Sequence, residues 1–174
     1  MSKSDTESEH AKECYAYFGL AVYYSQVLEH QLVNMIILLK RSQGLLPTES
    51  DFDVLYIQRS KRTLGNLISE IKELFQLQED EKNELEEVLR QRNFIVHDYF
   101  KEKIALTLTE SGRNELVNEL QRFVERVRNI DSRLEVYSDR MRKSVGLTDE
   151  MLENELKIIR NEVGLDERED SSID

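Results

Sequence analysis

From Leu116 to Met141, the apolar residues Leu116, Leu120, Phe123, Val127, Ile130, Leu134, Tyr137 and Met141 recur in alternating steps of four and three. That rhythm keeps one stripe of an α-helix facing the same way for about four heptads, so the segment predicts a long helix with a packed seam. A stripe of this kind belongs to core or coiled-coil packing rather than to a cofactor box. Its setting agrees: one Pro, six Gly, no Trp and 34% charged residues favour long helices over strands and turns. With 174 residues, there is room for one domain and one continuous core. The fold expected is all-α, an up-and-down helical bundle with a long C-terminal helix or hairpin.

Residues 1–9 are polar and expected to be a disordered N-terminus, with Ser4 or Thr6 able to cap the first helix. That helix is expected from about His10 to Ser42, apolar nearly all round in its middle, which marks it as central or shared with another subunit. Glu29 and His30 interrupt that region, and either face Arg92 across the bundle or lie on a solvent edge. Gly19 either permits close helix contact or is simply tolerated. The only proline, Pro47, falls in a loop expected over Gly44–Asp53, and Phe52 to Ile57 form a short helical turn. A helix over Ser60–Leu77 carries Leu64, Leu67, Ile68, Ile71, Leu74 and Phe75 at core spacing. Ahead of it, Arg59, Lys61 and Arg62 form a basic patch that either holds a phosphate backbone or balances acidic neighbours.

A further helix is expected over Glu79–Val96, capped by Asp80, and Lys101–Thr109 as a connection. Thr109 or Ser111 opens the long helix and Gly146 ends it. A short last helix turns Met151, Leu152, Leu156 and Ile159 inward, and Gly164 closes it. The domain is expected to span 10–165, with an acidic tail over 166–174.

The stretch most able to carry chemistry is Arg92-Asn93-Phe94-Ile95-Val96-His97-Asp98-Tyr99-Phe100. Leu85, Val88, Leu89, Ile95, Val96 and Tyr99 mark a buried stripe, and Arg92 falls on it. A guanidinium on a buried face is costly unless it meets a partner or lines a cleft. Five residues along an unbroken helix rotate by roughly 140°, so Arg92 and His97 would point apart while Asn93 and His97 share a face. Either the helix loosens there or a second chain completes the site.

These residues also carry a resemblance. Arg92-Asn93-x-x-x-His97 resembles the R-x4-H signature of HEPN domains, small helical proteins in which a polar residue often follows the arginine. His97-x-Tyr99 is similar to the R-x4-H-x-Y form of toxins in HEPN/nucleotidyltransferase toxin-antitoxin pairs. The signature covers eight residues, and the helical frame is similar over roughly residues 10 to 140. The resemblance implies a HEPN-like bundle that cleaves RNA, without metal, at a dimer cleft. His97 would act as acid or base, Arg92 would stabilise phosphorane-like charge, and Asn93 would orient the phosphate or the imidazole. Tyr99 would support the site, and in the toxin-antitoxin members it is where the partner nucleotidyltransferase attaches adenylate. The implied partners are a second copy, an RNA substrate, and an antitoxin or nucleotidyltransferase. The competing expectation is a non-catalytic interaction or dimerisation module in which Arg92 pairs with an acid such as Glu29.

Other chemistries find no support. Histidines at 10, 30 and 97 with one cysteine, Cys14, give no metal-ligand spacing, and no glycine-rich phosphate loop or serine elbow is present, so no metal and no cofactor is expected. The single cysteine rules out an intrachain disulfide. With no leader pattern and no apolar run of about 18 residues, the expectation is a soluble cytoplasmic protein with no membrane contact. A net charge of −11, concentrated in Asp5–Glu13 and Asp166–Asp174, argues against broad nucleic-acid binding and against DNA, while leaving room for a local basic cleft.

Overall fold

The computed structural model describes residues 3–46 and 48–162, which hold eight α-helices and no strand. They are α1 (Lys3–Ser42), α2 (Glu49–Ser60), α3 (Leu64–Leu74), α4 (Glu79–His97), α5 (Tyr99–Glu102), α6 (Ile104–Thr107), α7 (Glu110–Ser144) and α8 (Asp149–Glu162). The all-α bundle expected from the heptad stripe is what the chain forms.

The seam of α7 organises the core. Leu116, Leu120, Ile130 and Leu134 are fully buried, Phe123 and Val127 nearly so, and Tyr137 and Met141 pack at its end. Its main partner is α1, which contributes Leu28, Leu32, Met35 and Ile36, all without exposure. The two long helices run in the same direction: Gln31 donates to Ser138 at 3.1 Å, and Ser42 reaches the Met141 sulfur at 3.7 Å. α4 runs against them, joining α7 through Arg133–Asp80 at 2.7 Å near its start and Tyr99 to the Leu116 carbonyl at 3.1 Å just past its end. Lys72 on α3 pairs with Glu86 on α4. α4 is thus antiparallel to the parallel pair α1 and α7, the two long helices that lie side by side.

Local chemistry explains the boundaries. Thr109 caps α7, its hydroxyl accepting the Gly112 N–H at 3.1 Å. At the other end Gly146 adopts φ 73°, which only glycine takes without strain, and the Leu147 N–H closes back on the Arg142 carbonyl at 3.0 Å. Thr48 and Asp51 form a reciprocal capping box that starts α2 at Glu49, so the loop is shorter and the helix longer than the proline suggested. α3 opens later than expected, behind a Thr63 cap accepting from Asn66 at 3.3 Å. At α4, the Glu81 carboxylate accepts the Gln78 N–H at 2.9 Å, so Gln78 rather than Asp80 holds the cap position. Asp80 is drawn off to Arg133.

Three further expectations change. α1 begins at Lys3, so residues 3–9 of the segment expected to be disordered, with the caps expected at Ser4 or Thr6, lie in a helix. Residues 3–13 hold no Gly or Pro and many helix formers, and extending an existing helix costs far less than starting one. The expected connection over Lys101–Thr109 contains the single-turn helices α5 and α6. α6 sits hard against α7: a Cβ on Gly112 would overlap the Leu106 backbone, and Arg113 donates to the Thr107 carbonyl at 2.8 Å. Finally, of the four residues expected to turn inward, α8 turns only Leu152 toward the bundle, beside Phe52 and Ser138. Met151, Leu156 and Ile159 stay about half exposed. Gly164 and the acidic tail over 166–174 lie outside the described residues. No described helix is long and apolar enough to cross a membrane.

Candidate functional site

α4 stays helical through His97 and breaks only at Asp98, whose N–H still bonds to the Phe94 carbonyl at 2.9 Å. The helix therefore does not loosen between Arg92 and His97, and the two side chains leave it about 140° apart. Leu85, Val88, Ile95 and Tyr99 form the buried stripe, whereas Val96, expected on it, is 37% exposed.

Arg92 turns inward, toward α1. One terminal nitrogen, Nη2, lies 3.3 Å from Glu29 Oε1, and Nη1 donates to the Asn93 side-chain oxygen at 3.3 Å. Glu29 thus faces Arg92 across the bundle, while His30 does not: its Nδ1 lies 3.4 Å from the Tyr56 hydroxyl on α2. Both ends of the Arg92–Glu29 pair keep 26% of their side-chain exposure, so the bridge contributes roughly 1 kcal/mol or less. Arg92 Nε is buried without a hydrogen-bond partner, a cost that offsets part of that gain.

Asn93 and His97 stand in solvent and share one face at a spacing of four, Asn93 next to Arg92 and His97 about 140° from it. Tyr99 belongs to neither group. It is 1% exposed, and its hydroxyl donates to the Leu116 carbonyl, with Glu119 Oε2 at 3.4 Å. Its ring meets Phe94 and Phe100 edge-on at 5.7 and 5.5 Å. Burial, reinforced by the Glu119 charge, pushes the phenol far above its usual range. Of the four residues singled out in the sequence, the fold brings Arg92 and Asn93 into contact, leaves His97 beside Asn93, and commits Tyr99 to the core.

The basic patch before α3 is internally balanced. Arg59 reaches Glu70 at 2.9 Å, and Arg62 pairs with the same carboxylate. Sequence reasoning passed over a different basic feature, a groove of about 490 Å³ between α4 and α7 lined by Arg90, Gln91, Phe94, Glu119, Arg122 and Arg126, among others. Its signal was present as two i,i+4 pairs, Arg90/Phe94 and Arg122/Arg126, each on one helix face. Within it, the Arg90 guanidinium hydrogen-bonds Glu87 and holds that carboxyl below its ordinary range.

The fold and this geometry define an all-α bundle with one imidazole and one amide presented together at the exposed end of a central helix. Comparison with known proteins returns no match: no family model, no curated protein and no solved structure is similar to the chain.

Proposed function

We propose that the chain works as a homodimer whose paired motif helices form a metal-independent endoribonuclease centre of the toxin or defence-effector kind. The observation that carries this reading is the divergence of Arg92 and His97 on an unbroken helix. One copy cannot close both groups on one phosphate, and a second copy can supply the missing one. Apolar surface for such pairing lies nearby: Tyr15, Leu20 and Tyr23 on α1 are 63%, 40% and 57% exposed, and Val96 on α4 is 37% exposed. Nothing crowds Gly19 between them, so its lack of a side chain leaves that face flat.

In the reaction, the ribose 2′-oxygen attacks phosphorus and the bond to the 5′-oxygen breaks, giving a 2′,3′-cyclic phosphate and a 5′-hydroxyl. His97 takes up the 2′ proton or delivers one to the departing 5′-oxygen, and Arg92 leaves its weak bridge to Glu29 to stabilise charge on phosphorus. Asn93 orients the phosphate or the imidazole. Regulation by an antitoxin or nucleotidyltransferase partner fits the same reading. Adenylation of Tyr99, however, requires α5 to swing away from α7, because its hydroxyl is buried.

The second reading is a non-catalytic interaction module, favoured by the Arg92–Glu29 bridge that ties α4 to α1. Labelled single-stranded RNA and matched DNA, incubated with the full chain in chelator, separate the two. The ribonuclease reading expects RNA cleavage that His97→Ala abolishes without a change in Tm. Cleavage that survives in His97→Ala, requires magnesium or attacks DNA equally would sink it, and a dimer inert on several RNAs would hand the chain to the interaction reading.

A further inference from the structure

His97 stands outside the lining of the groove between α4 and α7, next to Arg90 at its rim on the helical wheel. Arg90, Phe94 and His97 stand at i, i+4 and i+7, within an arc of about 60° and over a rise of about 11 Å. Arg122 and Arg126 face them from α7, one turn apart. Arg92, by contrast, lies on the far side of the helix with Glu29.

Charge in the groove departs from that of the chain. Arg90, Arg122 and Arg126 line it against Glu119, three cations to one carboxylate, in a protein whose net charge is −11, with Glu84, Glu87, Glu115 and Glu125 close by. The surplus sits on Arg122. Its Nε donates to the Asn118 carbonyl of its own helix at 3.2 Å, and the described residues give it no ion pair with a carboxylate. Arg126 is held loosely, at 3.5 Å from Glu84 and 3.7 Å from Glu87. Bridges of this length between partly exposed groups are weak and yield to a phosphate, which takes the guanidinium fork in two parallel hydrogen bonds. Phe94, in the same lining, gives an unpaired base an aromatic surface.

We infer that this groove is a binding track for single-stranded RNA, with Arg122 and Arg126 holding consecutive backbone phosphates and leading the strand to His97. An acidic protein segment would satisfy the arginines but would have no use for the aromatic surface or for a proton-transfer group beside the groove's rim. The inference rests on the ribonuclease reading for the fate of the strand, not for its binding.

The test is fluorescence anisotropy on the full-length His97→Ala protein in chelator, which leaves the strand intact, with a labelled single-stranded RNA. Adding Arg122→Ala and Arg126→Ala should weaken binding at least tenfold. It should also flatten the slope of log K against log salt by about 1.4, the share of two phosphates on a single strand. Thermal melts should not move, because Arg122 is exposed and Arg126 only loosely paired. Unchanged affinity in that variant, or no RNA binding by the His97→Ala parent, would overturn the inference. So would displacement of RNA by polyglutamate at equal charge, which would assign the groove to an acidic protein. The two proposals fail separately. RNA bound through Arg122 and never cut by the wild-type chain sinks the ribonuclease reading alone, while RNA cut equally well by Arg122→Ala/Arg126→Ala sinks the track alone.

Discussion

The last two turns of α4 present two unlike sides. Inward, Arg92 is tied to Glu29 and, just beyond the helix end, Tyr99 is locked on the Leu116 carbonyl. Outward, Asn93 and His97 stand in solvent, His97 beside the rim of an arginine-lined groove. The inner side makes its contacts within the chain, Arg92 Nε alone being left without a hydrogen-bond partner, so its loss is felt first as stability. The outer side adds almost nothing to the fold, so any role it has must involve something outside the chain. Arg92 links the two, since its bridge is weak enough to open.

Variants should separate the two sides. His97→Ala is expected to lower RNA cleavage by about 10² to 10⁴ while leaving Tm in place, measured by gel assay and thermal melt in chelator. A fall in Tm with His97→Ala would show that the outer side also carries structure. On the inner side, Tyr99→Ala should cost about 3–5 kcal/mol, as the loss of a fully buried aromatic side chain does, and Tyr99→Phe only about 1 kcal/mol, for one buried hydrogen bond. Denaturant titration reads both, and equal losses would mean that the hydroxyl, not the ring, anchors α5. Glu29→Gln should lower stability by about 1 kcal/mol or less and leave cleavage intact, because it frees Arg92 rather than removing it.

An effect of similar size and opposite sign is expected away from the motif, at Asp131 on α7. Burial, reinforced by Glu135, raises its carboxyl above the ordinary range, and Oδ1 has no hydrogen-bond partner. A carboxyl whose pKa is higher folded than unfolded favours the fold when protonated and loses that contribution as pH rises through its folded value. Asp131→Asn should therefore raise Tm at pH 7 by about 2–4 °C, the shift that 1 kcal/mol produces in a chain of this size. The gain should shrink as pH falls through the folded-state pKa. A gain that persists in acid would assign the effect to packing rather than charge.

The fold was legible because periodicity is. The Leu116–Met141 stripe, the glycine at 146 and the cap at Thr109 all act locally, and each appears where its chemistry requires. What was not legible depends on neighbours. Whether Met151, Leu156 and Ile159 are covered depends on which helix lies over α8, and amphipathic spacing alone does not say. Gly112 reads as an isolated glycine in a helical run until Leu106 is found against it. At the candidate site, the spacing of Arg92 and His97 foretold their divergence. Tyr99 matched the signature as well as His97 did, yet its apolar neighbours Phe94 and Phe100 draw it into the core, a tertiary effect that no eight-residue pattern encodes. The α4–α7 groove was missed because its arginines lie about thirty residues apart and meet only when α4 packs antiparallel to α7.

Mixed dimers test the composite centre most directly. Arg92→Ala and His97→Ala proteins, each inactive alone and each confirmed dimeric by light scattering, are combined after subunit exchange and assayed on RNA in chelator. If Arg92 of one copy works with His97 of the other, an equimolar mixture holds about half heterodimers, each with one intact centre of two, and recovers about a quarter of wild-type activity. A mixture that stays inactive although exchange has occurred, or a wild-type chain that cleaves RNA as a monomer, would contradict a centre shared between copies.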